Sequence, residues 1–262
     1  MPNKATQYKN LDAFIPNAPD QSTEVMGDSS NEPQNIEIQT VFGDVIAPGK
    51  AGFIFNVLNY IIGQLLITTI ICTFAYIYKN KLHSYIYLHP EILLLPVICS
   101  LLSLLFLYCI KNNYLRIGLF IIFTLSMSFM ASFIIIRFSS SVIFKTVLIT
   151  TCVVFSTNVY AYYCAKNNRK FSYIETWLFT GFISLIILGI LQIFIQGSFL
   201  QFCITMLGVI VFTGLLFYDL NRLYNETTSE DDALMIAITI YLDIINLFLY
   251  ILDLIRCLIN KN

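Results

Sequence analysis

The sequence predicts an all-α integral membrane protein, a bundle of seven transmembrane helices behind a polar N-terminal tail. Three observations carry this. The 262 residues are 57% apolar and only 12% charged, where a soluble domain carries about 25% charged residues. Mean hydropathy is +0.75. Beyond residue 50, apolar stretches of roughly 20 residues recur, each long enough to cross a hydrocarbon core about 30 Å thick.

Residues 1–50 read as a disordered acidic tail. They hold Pro2, Pro16, Pro19, Pro33 and Pro48, with three lysines against seven acidic residues, and low hydrophobicity with net negative charge opposes a packed core. No apolar segment in the tail precedes a small-residue cleavage site, so no signal peptide is expected. Residues 51–262 form the membrane domain. Its spans are expected near 53–78, 92–110, 115–136, 142–164, 176–195, 199–221 and 233–258. Short polar dividers separate them, among them Lys111-Asn112-Asn113 and Gln196-Gly197-Ser198. For the last span, Ser229 is a candidate N-cap with Asp232 as its capping-box acid.

An odd number of spans puts the termini on opposite sides. Lys50, Lys111, Arg116, Lys166, Arg169, Lys170 and Arg222 collect on one side, slightly outnumbering the basic residues on the other. By the positive-inside rule that side, and the N-terminus with it, is cytosolic. The sequon Asn225-Glu226-Thr227 then faces the cytosol.

The seven cysteines lie in or at the ends of apolar segments without a CxxC pair. They read as small apolar side chains rather than a disulfide framework.

Intramembrane charges are few. Asp243 stands near the middle of the last span, where a charge costs at least about 2.5 kcal/mol and demands a partner, a proton or water. Lys145 is near enough to a helix end to snorkel, and Asp253 can pair with Arg256. Asp219, at the end of the sixth span, has two readings. It can pair with Arg222 at i+3, or it can face Asp243 across a helix contact, where two close carboxyls do not easily both ionise and so share a proton. Spacing leaves this open, because Asp243 lies about 16 Å into its helix and Asp219 stands near the end of its own. Asn246, one turn past Asp243, can hydrogen-bond such a pair or join neighbouring helices.

Enzyme chemistry finds no support. The two histidines, His83 and His89, both lie in the first divider, which excludes a membrane zinc triad and an intramembrane Ser–His pair. The last span has no central lysine for a retinal Schiff base, and residues 51–262 contain no Gly-rich phosphate loop. No cofactor is expected. Net charge of -1 gives no reason to expect a nucleic-acid partner.

Two segments together resemble the transmembrane Bax inhibitor motif family. Val211-Phe212-Thr213-Gly214-Leu215-Leu216-Phe217-Tyr218-Asp219 is similar to its sixth-helix block. Asp231-Asp232-Ala233-Leu234 with Ile240-Tyr241-Leu242-Asp243-Ile244-Ile245-Asn246-Leu247-Phe248-Leu249 is similar to its final-helix signature. Gln64-Leu65-Leu66-Ile67-Thr68 and Ile122 to Met130 resemble the Lifeguard branch. The resemblance implies a seven-helix bundle around a central C-terminal helix, a calcium leak in endoplasmic reticulum or Golgi membranes, and modulation of cell death. It implies that Asp219 and Asp243 are the pH-sensing pair; Arg222 and Asn246, by their positions one turn from each, are candidate supporting residues. Two carboxyls offer at most about four oxygens against the roughly six to eight that Ca²⁺ takes, so calcium would be held weakly and in transit. Partners are then the bilayer, Ca²⁺ and protons, with cell-death regulators as candidates. Bacterial relatives pin the pair with a basic residue on the second helix; Ile92 to Ile110 has none. A proton-coupled transporter or a membrane scaffold for cell-death regulators are the alternative readings.

Overall fold

A computed structural model describes residues 48–110, 112–167, 172–195, 197–225 and 230–259. The chain runs through α1 (Pro48–Ile77), α2 (Lys79–Leu88), a single 3-10 turn (Pro90–Leu93), α3 (Leu94–Cys109), α4 (Asn113–Ile135), α5 (Ser140–Lys166), α6 (Ser172–Phe194), α7 (Ser198–Asn225) and α8 (Glu230–Ile259). No strand occurs among the described residues. Seven of these helices are long and apolar enough to cross a membrane; α2 is not among them. Most of the expected acidic tail and the Ser229 cap lie outside the described residues, although Pro48–Lys50 already belong to α1.

The observed ends differ from the sequence expectation for one physical reason. Apolar composition marks where a helix meets hydrocarbon, whereas backbone hydrogen bonding continues into its polar ends. Thus α7 runs on through Asn221, Arg222 and Tyr224 to Asn225, four residues past the expected limit. The first divider is itself helical as α2. Pro90 closes it, since the residue before a proline is steered from the helical region, and His89 is extended at φ -131°, ψ 68°. At α4, Asn112 is extended and its side-chain oxygen accepts from the Tyr114 N–H at 3.1 Å, a side-chain N-cap.

The bundle is built around α8. Of its most apolar stretch, 61% is buried among the other helices, against 6–39% for the other six spans. It packs on α7, α1, α5 and α4, while α3 leans on α4 and α6 on α7. Ala237, Ile238, Ile240, Tyr241, Leu247 and Leu252 of α8 are buried. The outer helices present Phe55, Ile70, Leu105, Phe144, Phe155, Ile187 and Ile190 outward. In water that surface would be a liability, and in hydrocarbon it is the surface the solvent requires.

Hydroxyls inside the spans bond within their own helix. Thr124 donates to the Phe120 carbonyl at 2.8 Å, Ser128 to Thr124 at 2.7 Å and Thr213 to Val209 at 2.7 Å, which satisfies a polar group without a tertiary partner. Close packing of α7 uses glycine. A Cβ at Gly208 would meet the Tyr250 ring of α8, and one at Gly214 would meet Leu178 of α6. Near the opposite end of the bundle from Asn225, Asp253 pairs with Arg256 and accepts from Gln201 Nε2 of α7 at 3.1 Å. The Arg256 guanidinium also lies over the Phe138 ring, 5.6 Å from its centre. All seven cysteines are free thiols.

Candidate functional site

Asp219 of α7 and Asp243 of α8 meet. Their carboxyl groups are close enough to act on one another, and the Thr239 hydroxyl, one turn before Asp243, lies near Asp219. Asp219 stands six residues inside the end of α7. Asp243 is buried and Asp219 half-buried.

Two carboxylates only accept hydrogen bonds, so a bond between these two groups would need a proton on one of them. The environment supplies little else. Asp243 Oδ2 is buried with no hydrogen-bond partner among the described residues. Thr239 has one hydrogen, and it also lies 3.0 Å from the Ile236 carbonyl, so it can serve either oxygen. Arg222, one turn along α7, is the cation whose charge acts on Asp219. Asp219 thus has both Asp243 and Arg222 near it.

α3 carries no lysine or arginine; the cation that acts on Asp219 is Arg222 of its own helix. Asn246 is half-buried one turn beyond Asp243 and makes no side-chain hydrogen bond among the described residues. No group of three or more His, Cys, Asp or Glu side chains able to hold a metal is found among them either. Two carboxyls with an open acceptor can take a proton or briefly touch a hydrated cation, and they lack the oxygens of a tight calcium site.

A second polar cluster sits on another side of α8. Tyr241 OH lies 2.8 Å from Thr68 Oγ1, which lies 2.9 Å from Ser128 Oγ, and Gln64 Nε2 donates to Thr124 Oγ1 at 3.0 Å. All five residues are buried. The sequence reading assigned them no role. The available signal was spacing: Gln64 and Thr68 on α1, and Thr124 and Ser128 on α4, are both i,i+4 polar pairs on otherwise apolar helices, so each pair shows one face.

A cavity of about 910 Å³ separates α1 from α5, floored by Leu216 and Leu220 of α7 and by Ile240, Ile244 and Phe248 of α8. It is almost wholly apolar, and neither aspartate lines it.

The sequence profile of the family described as "Inhibitor of apoptosis-promoting Bax1" matches residues 50–261. The chain belongs to this family. Among curated relatives, Protein LIFEGUARD 4 of Arabidopsis thaliana is 34% identical over 145 residues, 55% of this chain and 57% of the relative. The chain thus spans a little over half the length of that plant relative. The Golgi anti-apoptotic protein of Vaccinia virus (strain Lister) is 27% identical over 79% of this chain and 86% of its own length. Protein lifeguard 4 of Mus musculus is 24% identical over 87% and 95%. The family match contains both aspartates, both i,i+4 polar pairs and all seven spans.

Proposed function

We propose that this family member is a pH-sensitive calcium leak pathway of an internal membrane, endoplasmic reticulum or Golgi, which tunes calcium stores and restrains cell death. The observation that carries the proposal is the carboxyl-to-carboxyl contact of Asp219 and Asp243 inside the bundle. One proton between two acids makes a two-state element. With the proton, α7 and α8 are bonded; without it, two like charges confront each other in a medium that screens them poorly. Proton concentration then shifts the population between two packings. Weak calcium contact suits a leak, because a site that holds its ion tightly does not release it. The name of the viral relative, a Golgi anti-apoptotic protein, supports both the Golgi and the restraint of cell death.

The test is calcium efflux from liposomes containing the purified protein, over about pH 5–8, the range in which a shared carboxyl proton can titrate. Passive efflux above that of empty liposomes, changing with pH, is expected. No efflux above the empty control overturns the leak. Saturable, substrate-dependent proton flux would replace it with a transporter.

Orientation has its own test. With the N-terminus cytosolic, Asn225 at the end of α7 stays unglycosylated in a eukaryotic host, and glycosidase treatment leaves its gel mobility unchanged. A glycan on Asn225 would invert the bundle.

A further inference from the structure

We propose that Tyr241 is a positioning residue. Its hydroxyl clasps α8 to α1 and α4 across from the aspartate pair, and release of this clasp is part of the change by which the pair opens the leak. This rests on the leak reading above and adds the element against which the pair works.

The geometry begins with helical period. Tyr241 and Asp243 are two residues apart, about 200° around a helix of 3.6 residues per turn. One therefore faces α1 and α4 while the other faces α7. α8 carries a polar lock on each side, and a rigid helix cannot shift at one without loading the other.

The clasp itself is well defined. Thr68 lies 2.8 Å from the Gln64 carbonyl and Ser128 lies 2.7 Å from the Thr124 carbonyl, so each can place its one hydrogen within its own helix. Tyr241 has no such local acceptor, and its hydroxyl is fully buried. Across the interface it lies 2.8 Å from Thr68 Oγ1, and either oxygen can donate. Tyr241 thus joins α8 to a hydroxyl of α1 that itself lies 2.9 Å from Ser128 Oγ of α4. Its ring stands edge-on to Phe123 of α4, with centres 6.4 Å apart, so removing the hydroxyl alone leaves the packing in place.

The clasp is also incompletely satisfied. Gln64 Oε1 is buried with no partner among the described residues, and a buried acceptor without a donor favours any rearrangement that supplies one. The ionisable groups acting on this part of α8 are Asp219 and Arg222 from α7 and, on the Tyr241 side, the Cys72 thiol of α1. α4 contributes the hydroxyls of Thr124 and Ser128 and carries the buried Arg116 near its N-terminus. The buried face of α5 presents the hydroxyls of Thr146, Thr150 and Thr157. The charges that act on Asp219 come from α7 and Asp243, while the restoring contacts lie on the α1 and α4 side.

The experiment compares wild type, Tyr241→Phe, Thr68→Val, Thr68→Ser and Thr69→Val in calcium-loaded liposomes, with both aspartates intact. In parallel, spin labels on α1 and α8 report the distance between these helices at each end of the pH range. Tyr241→Phe and Thr68→Val are expected to widen the conducting pH range, moving its midpoint by about half a pH unit or more, roughly a threefold change in the two-state ratio. Thr68→Ser keeps the hydroxyl and should keep the wild-type midpoint. Thr69, which bonds only the Leu65 carbonyl of its own helix, should be silent. If wild type leaks and the midpoints of Tyr241→Phe and Thr68→Val equal its own, the clasp is overturned while the leak stands. If wild type does not leak, the leak reading falls and the labels decide: an α1–α8 distance that is the same in wild type and Tyr241→Phe at both pH extremes overturns the clasp.

Discussion

Asp243→Asn is expected to make calcium efflux nearly independent of pH between about pH 5 and 8 while leaving the bundle folded. A one-proton switch changes its equilibrium by at most about tenfold per pH unit, and the wild-type profile should approach that slope near its midpoint. Asparagine has the shape of a protonated aspartic acid and donates at every pH. Its amide can hold the Asp219 carboxylate as the shared proton does, so α7 and α8 stay bonded whatever the solution does. Asp219→Asn reverses the roles and should also give a flat profile, because the two variants remove one shared bond from opposite ends. The fixed level of efflux identifies which packing conducts. Profiles that keep the wild-type midpoint in both variants would show that the proton is held elsewhere. Size-exclusion behaviour and thermal unfolding in detergent check that flatness is not loss of fold.

The reach of the sequence follows from how lipid constrains a chain. Hydrocarbon demands length and apolarity from every crossing, so the spans were legible from composition, while the shortest dividers left six or eight crossings open beside the seven. Helix ends were not, since the polar residues Asn221, Arg222 and Tyr224 that close α7 read equally well as a loop. Asp243 was visible as a functional candidate by its cost alone. Its pairing with Asp219 could not come from spacing and needed the resemblance of two segments. The clasp was missed because Thr68, Ser128 and Tyr241 are each ordinary residues in a membrane helix, where a hydroxyl can bond its own backbone. Only the packing of α1 and α4 on α8 brings the three together. The centrality of α8 is partly a matter of chemistry: it carries Asp243 and Tyr241 on opposite faces of one turn, and polar groups there need neighbours on every side.

Gly208→Ala is expected to destabilise the bundle by about 1–3 kcal/mol, the usual cost of overpacking, although alanine is the better helix former by about 1 kcal/mol. The added methyl would run into the Tyr250 ring. That ring cannot simply swing aside, because Phe212, one turn along α7 from Gly208, stacks on it with centres 5.4 Å apart, and Phe182 of α6 backs Phe212 at 6.2 Å. The strain must go into the spacing of α7 and α8. Gly189→Ala is the control. It is exposed on α6 with open space around its Cβ direction, so there the propensity gain should appear without a penalty. Thermal unfolding in detergent should rank Gly189→Ala at or above wild type and Gly208→Ala below it. Trimming the obstacle with Tyr250→Leu should remove most of the Gly208→Ala penalty in a double-mutant cycle; an undiminished penalty would mean that the ring is not what the methyl strikes. The consequence reaches the aspartates. Gly208 lies about 16 Å along α7 from Asp219, and Tyr250 about 10 Å along α8 from Asp243. A wedge between the helices at that level pries at the carboxyl contact. Gly208→Ala should therefore flatten the pH dependence of efflux along with the loss of stability, whereas Gly189→Ala should change neither the slope nor the midpoint.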